Sequence, residues 1–255
     1  MELYLITGFL GAGNTTFLKN FARQFAGRRL RLIINEFGRA GVDGTLLREL
    51  DAALDEISNG SIFCACRLDQ FEAALEQAAA DAPDVVLVEA SGLADPTNVR
   101  RVLAQFPAVS YQGSVCVADA ARLEKVFSTA RACPRQLAVS SLVLLNKTDL
   151  ATEAQCAEAK ALILRANPAA RIRRTQFGRF EPEWLSLIVP DVDVDEVLDM
   201  PDITLQKAVL QIRPTMPFAA LQKCLVQLAG ETWRIKGFVR VPEGIFYVDC
   251  TGPEV

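Results

Sequence analysis

Gly8-Phe9-Leu10-Gly11-Ala12-Gly13-Asn14-Thr15-Thr16 stands between a short apolar run, Leu3-Tyr4-Leu5-Ile6, and a segment that repeats Phe17, Leu18, Phe21 and Phe25 at helical spacing. Strand, glycine-rich turn and helix is the context in which such a turn wraps an anion. Gly8, Gly11 and Gly13, with the small Ala12 between the last two, let consecutive backbone N–H groups point inward, and the helix N-terminus adds partial positive charge. The stretch therefore reads as a phosphate-binding loop. Thr15, followed by Thr16, supplies the hydroxyl that meets Mg²⁺ in such loops, whereas Asn14 stands where the motif demands lysine. The frame is complete except for its one cation. A plain glycine-rich turn that merely joins strand to helix is the competing reading.

Working outward, Gly27 closes the first helix and Leu30 to Ile34 form a second strand, which ends in Asn35-Glu36-Phe37-Gly38. Polar groups at the carboxyl end of a buried parallel strand lie where α/β sheets bind ligands. Asp84 to Val88 is a third strand, running into Glu89-Ala90-Ser91-Gly92, and Pro96 is expected to open a helix through Phe106. A carboxylate such as Glu89 at that place orders Mg²⁺ or its waters, and the Gly92 N–H reaches a γ-phosphate. Further strands are expected at Ser114–Val117 and Ser141–Leu145, with a helix over Ala120–Ala130 between them. The second of these strands delivers Asn146-Lys147-Thr148-Asp149. The Asp149 carboxylate can accept from guanine N1–H and the exocyclic amine together, with Asn146 on the other edge of the base and the Lys147 stem over its face. Adenine would leave that carboxylate unpaired, at a cost of about 1–3 kcal/mol. A helix over Glu153–Ala166 and a strand at Arg171–Arg174 complete the unit. The alternation of strands and helices implies an α/β fold, a mostly parallel sheet covered on both faces.

The chain of 255 residues is 51% hydrophobic and 23% charged, a globular balance able to bury a core. Its net charge of -4 argues against a nucleic-acid surface, which wants a basic face. No apolar run approaches the ~20 residues of a membrane span, and Met1 leads straight into the first strand, so a cytoplasmic location is expected. Histidine is absent, which excludes a Ser-His-Asp triad and restricts any metal site to cysteine and carboxylate ligands. Seven cysteines, an odd number, do not read as a disulfide framework. Composition shifts at the acidic, proline-flanked Pro190–Asp202. The organisation expected is a nucleotide-binding domain over 1–188, a linker over 189–203 and a small α+β domain over 204–255. In the last, strands are expected at Ala208–Ile212, Trp233–Val241 and Ile245–Cys250, around a helix over Phe218–Leu228.

These pieces together resemble the CobW-like GTPases, relatives of the hydrogenase and urease maturation GTPases. The resemblance rests on Gly8 to Thr16, Asn35-Glu36-Phe37-Gly38 with Gly41-Val42-Asp43-Gly44, and Asn59-Gly60 before the cysteines. Glu89-Ala90-Ser91-Gly92-Leu93-Ala94-Asp95-Pro96, Asn146-Lys147-Thr148-Asp149 and Lys236-Gly237-Phe238-Val239-Arg240 extend it along nearly the whole chain. It implies a P-loop domain that binds GTP or GDP with Mg²⁺, a transition metal such as Zn²⁺ on a cysteine motif, and delivery of that metal to a client metalloprotein. Of the family's three cysteines only the one at Cys64 is kept, and Cys66 adds a thiol two residues on. Two thiolates can share a soft cation but cannot fill a tetrahedron. Glu36, Asp43 or a second copy of the chain would complete it, and a homodimer is one expected arrangement. Arg39 stands where relatives carry an acidic residue. A hydrolysis-deficient nucleotide-binding module, regulatory or scaffolding, is the alternative that Asn14 favours. Cys116, Cys133, Cys156, Cys224 and Cys250 are read as structural.

Overall fold

The computed structural model describes residues 1–36, 52–58, 62, 68–190, 210, 216–232 and 235–250. The chain divides into two units, Met1–Ile203 and Thr204–Val255.

In the first unit seven strands form one parallel sheet: β1 (Glu2–Thr7), β2 (Leu30–Glu36), β3 (Ala53–Ser58), β4 (Val85–Glu89), β5 (Ser110–Asp119), β6 (Leu142–Asn146) and β7 (Arg171–Arg174). Their spatial order is β3-β2-β4-β1-β5-β6-β7. Every residue of β4 and β6 is buried, as is β1 beyond Glu2, the near-continuous apolar pattern of parallel strands covered on both sides. Alternate residues feed two cores. Tyr4, Ile6, Leu32, Ile34, Leu87 and Val115 pack against α1 (Asn14–Ala22). Leu3, Leu5, Ile33, Val86 and Val88 face α2 (Leu68–Asp81) and α3 (Val99–Leu103). The chain crosses from β4 to β5 over β1, so β1 is the place where the strand order reverses, and α/β sheets bind ligands outside the carboxyl end of such a strand.

Several features differ from the sequence expectations. The strand β3 was not expected: Asp55 and Glu56 interrupt its apolar pattern, and it exists because it pairs with β2 at the sheet edge. There Arg31, 5% exposed, reaches both Asp55 and Asp81, fixing β2, β3 and α2 to one another. Pro96 does not open a helix. It lies in a turn whose carbonyl accepts from Val99 N, and the helix is only Val99–Leu103. The segment expected as one helix from Ala120 is instead α4 (Leu123–Thr129), and a further helix, α5 (Ala132–Ala138), carries Pro134 inside its first turn. By contrast α6 (Glu153–Ala166) and β7 keep the expected bounds. Thr152 and Gln155 form a reciprocal capping box at the start of α6, a signal written within four residues.

In the second unit α7 (Phe218–Glu231) packs Leu221, Leu225 and Ala229 against Val241, Val248 and Cys250 of the antiparallel pair β8 (Ile235–Val241) and β9 (Gly244–Cys250). The acidic stretch from Asp191 lies outside the described residues, as does the strand expected over 208–212 but for the exposed Leu210.

Candidate nucleotide site

The loop between β1 and α1 closes tightly on itself. Gly13 caps α1 with φ 105° and has no side chain to bond the first turn, so the cap residue does not compete with an anion for the helix N-terminus. Asn14 Nδ2 donates to the Gly8 carbonyl at 2.7 Å. Asn14 Oδ1 is buried and has no hydrogen-bond partner among the described residues. At Gly8 (φ 148°) a Cβ would lie 2.3 Å from that oxygen and 2.5 Å from the Val117 carbonyl, so no other residue fits. The asparagine thus folds back onto the loop that a lysine would extend beyond.

Thr15 and Glu89, expected as Mg²⁺-organising groups, do come together: Thr15 Oγ1 donates to Glu89 Oε1 in a long contact of 3.5 Å. Glu89 is 6% exposed at the end of β4. Gly92 approaches the loop from that side, and a Cβ there would meet Leu10 N at 2.8 Å. Two residues that sequence reasoning left without a role hold this approach in place. Gln136 of α5, 1% exposed, donates from Nε2 to the Gly92 carbonyl at 3.2 Å and to the Ala94 carbonyl at 3.0 Å. Asn35, 4% exposed, donates to the Ile57 carbonyl at 3.1 Å and accepts from Ser91 N at 3.3 Å and Ile62 N at 3.0 Å. Asn35 was visible as a polar residue ending an apolar strand, but nothing local marked Gln136.

On the other flank, Asn146 is 1% exposed. Its Nδ2 donates to the Ala12 carbonyl at 2.9 Å and its Oδ1 accepts from Gly178 N at 3.0 Å. These bonds make Asn146 a brace between the phosphate loop and the loop after β7, and they use one of the two N–H groups and one of the two lone pairs of its amide. Lys147, with φ 59°, places Nζ 2.9 Å from Asp119. Thr148 donates from N and Oγ1 to the Thr175 carbonyl at 3.3 and 3.1 Å. Asp149 is exposed, and its carboxylate enters no hydrogen bond or ion pair among the described residues.

Cys64, Cys66, Arg39, Asp43 and the side chain of Glu36 lie outside the described residues. Among the described residues no three metal-ligating side chains gather. Cys116, Cys133, Cys156 and Cys250 are buried, and burial pushes the Cys116 thiol up to about 12 and raises Cys133 well above the ordinary value. Thiols held neutral in this way are inert packing groups.

The nucleotide-binding domain of CobW/HypB/UreG, as a family model, matches residues 2–174. The zinc chaperone CobW of Pseudomonas aeruginosa is 32% identical over 206 residues, 67% of this chain and 55% of that protein. The zinc chaperone YjiA of Escherichia coli is 25% identical over 226 residues, 85% of this chain and 66% of that protein. The chain spans about half to two-thirds of the length of these relatives. Among solved structures, Zn(II)-bound YjiA GTPase from E. coli aligns with a TM-score of 0.55 and 18% identity, covering 99% of this chain and 86% of that one. The signal recognition particle receptor FtsY of Elizabethkingia anophelis, solved with GDP, gives 0.51 at 15% identity over 74% of this chain and 64% of its own. Both likenesses are of fold. With the family model spanning the loop, the Glu89–Gly92 turn and the Asn146–Asp149 turn, this chain belongs to the CobW/HypB/UreG family.

Proposed function

We propose that this chain is a guanine-nucleotide-binding metallochaperone in which the nucleotide's phosphates and a thiolate-bound metal bias one another. The observation that carries the reading is the position of Asn35. Its carboxamide oxygen is shared by the backbone N–H of Ser91, one residue before Gly92, and of Ile62, two residues before Cys64. A change at the turn that faces a γ-phosphate therefore has one buried amide between it and the start of the cysteine segment. Thr15 and Glu89 are oxygen donors of the kind Mg²⁺ takes, and Mg²⁺ bound there would neutralise phosphate charge. Zinc is the cargo that the names of the relatives suggest, and a client metalloprotein its recipient, with a second copy of the chain as a source of further ligands. A cytoplasmic setting fits this role, and no helix among the described residues is long and apolar enough to cross a membrane.

The reduced protein is expected to bind Co²⁺ with a thiolate charge-transfer band that disappears in the Cys64→Ser, Cys66→Ser double variant. Thiols must ionise to bind, so the apparent affinity falls as pH is lowered. Repeating the titration with GDP and with a non-hydrolysable GTP analogue tests the coupling. Equal Co²⁺ affinities in the two states would remove the link to the nucleotide, and a full-strength band in the double variant would move the metal elsewhere.

Guanine recognition is assigned to Asp149, the exposed carboxylate, with Asn146 on the other edge of the base while it also braces the phosphate loop. GDP is expected to bind at least about tenfold more tightly than ADP, a difference of roughly 1.4 kcal/mol. Calorimetry on the native chain and on Asp149→Ala decides this: the preference should vanish in the variant, and equal affinities in the native chain would overturn the assignment.

A second reading, a nucleotide-binding module that does not hydrolyse, draws on the neutral Asn14 tied to its own loop.

A further inference from the structure

Phe177 is an aromatic residue displayed where its backbone resists it. Its φ is 54°, in the left-handed region that a bulky residue rarely adopts, and its side chain does not disappear into the core, since it is 64% exposed. The conformation is imposed from several directions. Asn20 of α1 donates from Nδ2 to the Phe177 and Gly178 carbonyls at 3.1 and 2.9 Å. Gly178 N donates to Asn146 Oδ1 at 3.0 Å, and Thr175 Oγ1 donates to the Arg179 carbonyl at 2.8 Å. Thr148 bonds twice to the Thr175 carbonyl. The loop from Thr175 to Arg179 is thereby fastened to α1 and to the Asn146–Asp149 turn. A strained residue persists only when its surroundings over-determine it, and such residues cluster at ligand clamps. An aromatic ring left in water repays none of that strain in the unliganded protein.

The neighbouring chemistry says what the ring would meet. A purine read at its edge by Asp149 has two flat faces. Lys147, anchored through Nζ to Asp119, offers its alkyl stem to one of them. The other needs a flat apolar partner. We propose that Phe177 is that partner, stacking on the purine ring of a nucleotide whose edge is held by Asp149. The inference rests on the guanine-nucleotide reading above and deepens it by dividing the labour. Every base has a π face, so the ring sets affinity for the base without choosing among purines, and Asp149 makes the choice.

Calorimetry with GDP, ADP and inorganic pyrophosphate, on the native chain and on Phe177→Ala, Phe177→Trp and Phe177→Gly, tests this. Phe177→Ala should bind GDP and ADP each about tenfold more weakly, leaving their ratio and the pyrophosphate affinity unchanged. Phe177→Trp should restore binding, with tryptophan fluorescence that changes on GDP addition. Phe177→Gly removes the backbone strain, so it should raise the thermal midpoint while weakening GDP, a split that a purely structural residue would not produce. Equal GDP affinity in native and Phe177→Ala protein, with guanine preference still dependent on Asp149, overturns the stacking role alone. A matching loss for pyrophosphate also overturns it, because the effect would then pass through the loop. No guanine preference in the native chain overturns the nucleotide reading and this inference with it.

Discussion

Asn14→Lys is expected to tighten GTP binding about tenfold to a hundredfold and to lift hydrolysis above background. The range follows from the ~1.5–3 kcal/mol of a hydrogen bond to a charged group. In the native loop the side chain at this position spends its donor on the Gly8 carbonyl, and its buried oxygen carries no partner among the described residues. A neutral amide so placed offers a triphosphate neither charge nor reach. Lysine acts on phosphates as a point charge, and phosphoryl transfer depends chiefly on positioning and electrostatic stabilisation. Phe9, the loop's second residue, is 5% exposed and carries no charge, so the loop has no cation of its own to substitute. Single-turnover hydrolysis of GTP by the native and lysine forms at saturating Mg²⁺, with and without zinc, is the measurement. Native hydrolysis well above background that Arg39→Ala abolishes would show that the charge arrives from another segment. No gain in Asn14→Lys would place the defect beyond the phosphate loop.

Phe21→Ala is expected to cost about 3–5 kcal/mol of stability, the largest single loss foreseen in the first unit. Phe21 is fully buried on the inner face of α1, and its ring lies 5.5 Å from Tyr4, 5.2 Å from Phe17, 5.2 Å from Phe25 and 4.8 Å from Phe180. Four aromatic neighbours cannot collapse into the space that truncation opens, so the cavity term adds to the lost transfer energy. A domain stabilised by about 5–15 kcal/mol would lose a large fraction of that. Because α1 carries Asn14 and Thr15 at its start, loosening its base should also weaken nucleotide binding, and excess GDP should win back part of the stability. Denaturant titration should show a lower midpoint with unchanged slope. A loss below about 1 kcal/mol would mean that the site relaxes, contrary to the packing seen.

What was legible in the sequence was local in its physics. The glycines of the loop, the apolar runs of β1, β4 and β6, and the capping box of α6 each act within a few residues, so their outcome could be read before any partner was known. The loop before Thr15, Glu89 with Gly92, and the Asn146–Asp149 turn end or follow β1, β4 and β6 for the same reason, since a parallel sheet brings all its carboxyl ends to one edge. The edge strand β3 was hidden because its residues alone make a poor strand, and pairing with β2 and the Arg31 contacts supply what its pattern lacks. The helix α5 was hidden by Pro134, which is harmless only in a first turn. The contacts of Asn35, Gln136 and Asn146 and the left-handed backbone of Phe177 were decided by tertiary structure alone. Each depends on a backbone group or a neighbouring loop brought close by the sheet order, and an amide's single oxygen can serve a base, a turn or a brace with equal chemistry. Which of these it serves is settled by what the fold sets within about 3 Å of it.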